Sequence, residues 1–108
     1  MIEVSIFLSQ GEKISGFQVT GHSGTAARGK DIVCAGVSSL AQTALLGIGE
    51  YLHREVEYSV ASGKLCMKLK GPPDDLTEAV LQTMLLGLME IEKLSPRAVR
   101  IKRVQEVT

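Results

Sequence analysis

The chain has no charged side chain between Ile32 and Gly49, although charged residues make up 22% of the sequence. An uncharged stretch of this length belongs either in a packed domain or in a membrane. Polar residues interrupt it at Ser38, Ser39, Gln42 and Thr43. They favour a buried helix from Ile32 to about Leu52 over a membrane span. The predicted core side of this helix comprises Val33, Val37, Leu40, Ala41, Ala44, Leu45 and Ile48.

Alternating patterns flank this helix on both sides. Before it, Ile2–Leu8 and Lys13–Thr20 alternate apolar and polar residues around the turn Ser9–Glu12, which predicts an antiparallel hairpin. After it, two alternating sets, Val56, Tyr58 and Val60 and then Leu65, Met67 and Leu69, flank a turn at Ser62-Gly63 and predict a second hairpin.

A second helix follows Gly71-Pro72-Pro73, capped by Asp74 or Asp75 and reaching about Leu94. Ala98–Val104 then supplies a fifth strand. The order ββαββαβ predicts a two-layer α+β domain in which two helices pack on one face of a mainly antiparallel sheet. The apolar surface left over on the second helix predicts a homodimer.

Length, net charge and the amino-terminal sequence limit the number of domains, the binding partners and the compartment that we expect. At 108 residues, the chain has room for one domain, residues 1–108. Its formal net charge of zero gives no reason to expect direct binding to nucleic acid or to a membrane. The amino terminus lacks the features of a secretory signal, so we expect a cytoplasmic protein whose two cysteines are free thiols.

The candidate catalytic residues lie around the start of the first predicted helix. Gly21–Asp31 is rich in glycine and predicts a long loop, after which Cys34 is the third residue of a helix capped by Asp31. Backbone N–H groups and the positive end of the helix dipole favour a thiolate at this position. His22 precedes Cys34 by twelve residues, at the other end of the loop, and the two could form a nucleophile and base pair.

Structural roles remain open for each of these residues. Cys34 could be a small buried apolar residue and His22 an ordinary loop histidine. Asp31 could orient the histidine, cap the helix, or do both. Ser38 lies one helical turn after Cys34, where it could hydrogen-bond within the site or back to its own helix.

Other types of site fit the sequence less well. His22, Cys34, His53 and Cys66 lack the short spacings of a structural zinc site, so we expect no metal and no cofactor. The run Gly24–Asp31 matches a phosphate-binding loop except at its last position. There, Asp31 replaces the magnesium-binding Ser or Thr and places negative charge beside the phosphate.

The segment Gly21–Ser38, Gly-His-Ser-Gly-Thr-Ala-Ala-Arg-Gly-Lys-Asp-Ile-Val-Cys-Ala-Gly-Val-Ser, resembles the signature of the ribosomal-processing cysteine protease family, Prp. That signature runs roughly Gly-His-Ala-Gly, a variable stretch, and Gly-x-Asp-Ile-Val-Cys-Ala-Ala/Gly-Val-Ser. Ser23 stands where alanine is usual, and Thr25 where an aromatic residue is common. The predicted order of elements is similar to that of the family over the full chain.

The resemblance implies a homodimeric cysteine endopeptidase that removes the amino-terminal extension of large-subunit ribosomal protein twenty-seven, after a hydrophobic motif containing phenylalanine. It implies Cys34 as nucleophile and His22 as general base and acid, with Asp31 and Ser38 in supporting roles. A substrate loop containing Gly21, Ser23, Gly24 and Gly29 would close over the bound peptide. The alternative is a non-catalytic ribosome-associated or RNA-binding module, which the neutral charge and the few aromatic residues support poorly.

Overall fold

The computed structural model describes residues 1–21 and 32–106. The strands are β1 (Ile2–Leu8), β2 (Ile14–Gly21), β3 (Val56–Ala61), β4 (Lys64–Leu69) and β5 (Val99–Gln105), and the helices are α1 (Ile32–Leu46) and α2 (Asp75–Leu94). A π-helical turn, Gly47–Tyr51, extends α1. The predicted ββαββαβ order and α+β fold class are confirmed.

The five strands form one sheet in the order β3-β4-β2-β1-β5. Both predicted hairpins are present, and β2 pairs with β4 in antiparallel register. The fifth strand, β5, lies parallel to β1, with Val99 opposite Ile2. The two ends of the chain therefore share one half of the sheet, while β3 forms the edge of the other half.

Both helices cover the same sheet face. On that face Ile6, Phe17 and Met67 lie opposite one another across β1, β2 and β4, and all three are fully buried. The core continues into the helices through Val37, Ala41, Ala44, Ile48, Leu81, Met84, Leu85 and Leu88. Alternation in the strands and helical spacing in α1 and α2 direct apolar side chains into this one layer.

Length and composition alone would allow the helical segment Ile32–Tyr51 to cross a membrane. In the structure, one side of the segment contributes Val37, Ala41 and Ile48 to the core, as the sequence predicted. The opposite side exposes Ile32 and Leu46. The helix therefore packs one side against the core and presents on the other a surface without charge as far as Gly49.

Candidate active site

Cys34 is the third residue of α1, as the sequence predicted. Its side chain is half-buried and packs against the edge of the hydrophobic core. It forms no disulfide with Cys66. The first turn of α1 contains no acidic residue, so no carboxylate within the helix competes for its N-terminal N–H groups.

Cys34 lines a pocket of about 130 Å³ between α1 and the end of the β3–β4 hairpin. The helix contributes Cys34, Val37, Ser38, Ala41 and Gln42 to its wall. The opposite side is formed by Ile2, Val19, Gly21, Val60, Ala61 and Gly63–Leu65. Cys34 therefore borders a mostly apolar cavity that is open to solvent.

Gly21 places the end of β2 beside this pocket. Its φ is +91°, and a side-chain Cβ at this position would collide with the carbonyl oxygen of Met1, so only glycine fits. Its backbone N–H donates to the carbonyl oxygen of Gly63 at 2.9 Å, which fixes the strand end to the β3–β4 turn. The residue that follows Gly21 in the chain is His22. Strand β2 therefore ends at a residue that lines the same pocket as Cys34.

Ser38 lines the same pocket, as its spacing of one turn from Cys34 predicted. Its Oγ accepts a hydrogen bond from Nε2 of Gln42 at 2.9 Å. The partner is thus the side chain one turn further along α1. Cys34, Ser38 and Gln42 form a row on the helix at successive intervals of four residues.

Five of the predicted site residues lie outside the described residues: His22, Ser23, Gly24, Gly29 and Asp31. The distance from His22 to Cys34, and the choice between capping and orienting roles for Asp31, stay predictions.

Sequence reasoning missed two contributions to the pocket. Gln42 lies eight residues after Cys34, and the same helical spacing that identified Ser38 could have identified it. The other contribution comes from Val60 and the β3–β4 turn. Their place beside Cys34 depends on the pairing of β4 with β2, which local patterns do not specify.

Cys66 lies away from the pocket, in the middle of β4. Its neighbours Leu65 and Met67 are buried beneath the helices, whereas Cys66 is directed to the opposite sheet face, between Gln18 and Ser59. Within residues 1–21 and 32–106, no three His, Cys, Asp or Glu side chains are grouped in a way that could hold a metal ion. Among the described residues, the pocket beside Cys34 is therefore the candidate active site.

Comparison with known proteins identifies the family of the chain. The family model described as Cysteine protease Prp matches residues 1–100. Ribosomal processing cysteine protease Prp from Staphylococcus aureus (strain Mu50 / ATCC 700699) is 29% identical over 96 residues, which covers 86% of this chain and 90% of the relative. The same protein from strain NCTC 8325 / PS 47 matches equally well.

Solved structures show the same fold. S. aureus Prp in complex with a covalently linked product peptide superposes with a TM-score of 0.90 at 25% identity, covering 96% of this chain and 100% of the other. SMU.848 from Streptococcus mutans has a TM-score of 0.83 at 20% identity, covering 98% and 99%. The family match extends over nearly the whole chain and includes Cys34 at the start of α1. The chain therefore belongs to the Prp family and is a cysteine protease of ribosomal processing.

Proposed function

We propose that this protease removes the amino-terminal extension of large-subunit ribosomal protein twenty-seven, in the cytoplasm, during ribosome maturation. The observation that carries the proposal is the position of Cys34, at the start of α1 and in the wall of an open apolar pocket. The name of the S. aureus relative supports a ribosomal substrate, and its complex with a covalently linked product peptide supports covalent chemistry on a peptide.

The proposed reaction uses Cys34 as nucleophile and His22 as general base and acid. His22 accepts the thiol proton, and Sγ of Cys34 attacks the carbonyl carbon of the scissile bond. Backbone N–H groups at the start of α1 stabilise the oxyanion that forms. The C–N bond then breaks as His22 donates the proton to the leaving amine, which leaves a thioester on Cys34.

Water completes the cycle. His22 takes a proton from a water molecule, whose oxygen attacks the thioester carbonyl; the C–S bond breaks, and Cys34 regains a proton. Asp31 orients His22 or caps α1, and Ser38 supports the site from one turn along the helix. The loop containing Ser23, Gly24 and Gly29 closes over the peptide. The position of Gly21 supports the role of His22, because Gly21 lines the pocket beside Cys34 and directly precedes His22 in the chain.

The test is mass spectrometry of the extended ribosomal protein after incubation with wild type, Cys34→Ala, His22→Ala and Cys66→Ala. We expect wild type and Cys66→Ala to cleave one bond, and both other variants to lose at least roughly 10³-fold in rate. Cys66→Ala is the matched control because it removes a second half-buried thiol outside the pocket. Cleavage by folded Cys34→Ala would end the proposal, and no cleavage by any variant would favour the non-catalytic module.

We also propose that the protease is a homodimer. Two large apolar side chains are exposed on the helices: Leu46 on α1 is 58% exposed and Leu86 on α2 is 63% exposed. On α1 no charged residue between Ile32 and Gly49 makes the surface around Leu46 more polar. A second copy covering the helices would bury it. Sedimentation velocity should show a dimer for wild type and a monomer for the double variant Leu46→Lys, Leu86→Lys; a monomeric wild type at micromolar concentration would contradict the proposal.

A further inference from the structure

We infer that Gln42 is a positioning residue for the reaction: it holds the hydroxyl of Ser38 so that the hydroxyl proton is directed into the pocket beside Cys34 and donates to a carbonyl oxygen of the bound peptide. The inference rests on the proposed function, because it assigns a substrate contact at the same site. It adds a residue that lies outside the segment Gly21–Ser38 on which the family resemblance was drawn.

The hydrogen bond between Gln42 and Ser38 fixes the direction of the hydroxyl. A serine hydroxyl has one proton to donate and two lone pairs that accept. Nε2 of Gln42 donates to Oγ of Ser38 at 2.9 Å, so the amide occupies a lone pair and leaves the proton for another acceptor. Among residues 1–21 and 32–106, no oxygen, nitrogen or sulfur atom accepts this proton. Ser38 therefore has a donor that the described part of the chain does not use.

Thr83 on α2 shows the alternative for a hydroxyl group in a helix. Its Oγ1 donates to the carbonyl oxygen of Ala79, four residues earlier, at 2.6 Å. The residue four positions before Ser38 is Cys34, yet the Ser38 hydroxyl is bonded to Gln42, four positions later. The proton of Thr83 is used within its own helix, whereas the amide of Gln42 keeps that of Ser38 available.

The pocket brings an acceptor to this proton when a peptide binds. Cys34 and Ser38 both line the pocket, and most of the other lining residues are apolar, among them Val37, Ala41 and Leu65. A peptide carbonyl oxygen that leaves water against such a wall needs a hydrogen-bond donor in exchange. The Ser38 hydroxyl supplies one, a single helical turn from the nucleophile.

The experiment reverses the polarity of this hydrogen bond. In Gln42→Glu the side chain keeps its length, but a carboxylate only accepts, so the Ser38 hydroxyl would donate to it and withdraw its proton from the peptide. Gln42→Met keeps a similar length and removes the hydrogen bond. Both changes are also made in Ser38→Ala, and kcat/KM for the extended ribosomal protein is measured for every variant. Alanine favours a helix and Gln42 is exposed, so these variants should fold, which thermal unfolding checks.

The matched control is Gln82→Met on α2. Nε2 of Gln82 donates to Oε2 of Glu78, one turn earlier, at 3.0 Å, so the same type of bond is removed from a helix outside the pocket. Any effect on helix stability should be similar in Gln82→Met and Gln42→Met. An effect on kcat/KM should occur in Gln42→Met alone.

We expect Gln42→Met to lose about threefold to tenfold in kcat/KM and Gln42→Glu to lose more, because the first frees the hydroxyl and the second withdraws its proton. Ser38→Ala should lose roughly tenfold. In the Ser38→Ala background, Gln42→Met should have almost no further effect, since Gln42 acts through Ser38. The rate at which iodoacetamide alkylates Cys34 should be unchanged in Gln42→Met, because the hydroxyl acts on the peptide and not on the thiol.

Several results would overturn the role of Gln42 and leave the protease assignment in place. They are wild-type kcat/KM in either Gln42 variant or in Ser38→Ala, equal losses from Gln42→Met with and without the Ser38 hydroxyl, or a parallel fall in the alkylation of Cys34. Failure of wild type to cleave the ribosomal protein overturns the proposed function and this inference together.

Discussion

The first turns of the two helices differ in their acidic residues. At the start of α2, the carboxylate of Asp74 accepts hydrogen bonds from the N–H groups of Leu76 and Thr77, each at 2.9 Å, and the Thr77 hydroxyl accepts one from the N–H of Asp74. Asp75 and Glu78 add two more acidic residues to that first turn. The first turn of α1 contains no acidic residue, and its third position is a cysteine.

This difference in acidic residues bears on the chemistry that we propose for the start of α1. The start of α2 uses its own side chains to satisfy its N–H groups, and it is further tied to the sheet because Glu78 accepts from the backbone N–H of Ile14 at 2.8 Å. A helix start supplied with carboxylates stabilises the fold but has little capacity left for another anion. The first turn of α1 has no acidic residue, and under the proposed function its N–H groups stabilise the sulfur of Cys34 and the oxyanion of the bound substrate.

Placing a carboxylate in the first turn of α1 should have the largest effect. Ala35 is exposed and adjacent to Cys34, so Ala35→Glu makes this helix start resemble that of α2. We expect kcat/KM and the alkylation rate of Cys34 by iodoacetamide to fall by about tenfold or more, because negative charge disfavours the thiolate and the oxyanion. The unfolding midpoint should stay the same or rise slightly, because the new charge suits the helix dipole.

The matched control for this prediction is Ala35→Gln, which adds a side chain of the same size without charge. It should retain most of the activity, so that the difference between the two variants measures the charge alone. Equal losses of activity in Ala35→Glu and Ala35→Gln would show that side-chain size lowers the activity. The absence of acidic residues from the first turn of α1 would then have no electrostatic effect on the reaction.

The contrast between the helices also shows what local sequence can predict. The alternation of Ile2, Val4 and Ile6 predicted three residues that the structure buries in the core. The choice between Asp74 and Asp75 as the cap of α2 stayed open, and the structure selects Asp74, since Thr77 stands three residues later to complete a reciprocal pair. Strand alternation and helix capping each depend on residues that are close together in the chain, so a short segment of sequence is enough to predict them.

Features that depend on distant segments were not predicted. The parallel pairing of β5 with β1 joins the two ends of the chain, and the pocket requires the β3–β4 turn to approach α1. No local pattern specifies which strands become neighbours. The π-helical turn at Gly47–Tyr51 was also missed, although two glycines in that stretch lower the preference for a regular α-helix. At the site, the position of Cys34 could be predicted because it depends on one helix start.

Removing the reciprocal partner at the start of α2 should have an intermediate effect, on stability alone. Thr77 is 1% exposed, and Thr77→Val keeps its shape while removing the hydroxyl that accepts from Asp74. We expect a loss of about 1–2 kcal/mol in the free energy of unfolding, measured by urea denaturation. Thr77→Ser should recover much of it, and kcat/KM should be unchanged in both variants. A loss of activity in folded Thr77→Val would show that the start of α2 also affects the reaction at the start of α1.

The smallest effect concerns the pH dependence of the α2 cap. The N–H of Thr77, which donates to Asp74, holds the pKa of that carboxyl below its ordinary value of 3.8, assisted by the Arg54 guanidinium and the N–H of Leu76 and opposed by partial desolvation. A carboxyl with a lower pKa in the folded state than in the unfolded state stabilises the fold above about pH 4, and this stabilisation is lost as the pH falls through the folded-state pKa. Asp74→Asn keeps a capping side chain but cannot ionise. Wild type should therefore have the higher urea midpoint at pH 7, and the difference should shrink as the pH falls below about 4. A difference that stays constant or grows as the pH is lowered would show that the charge of Asp74 contributes nothing to the cap.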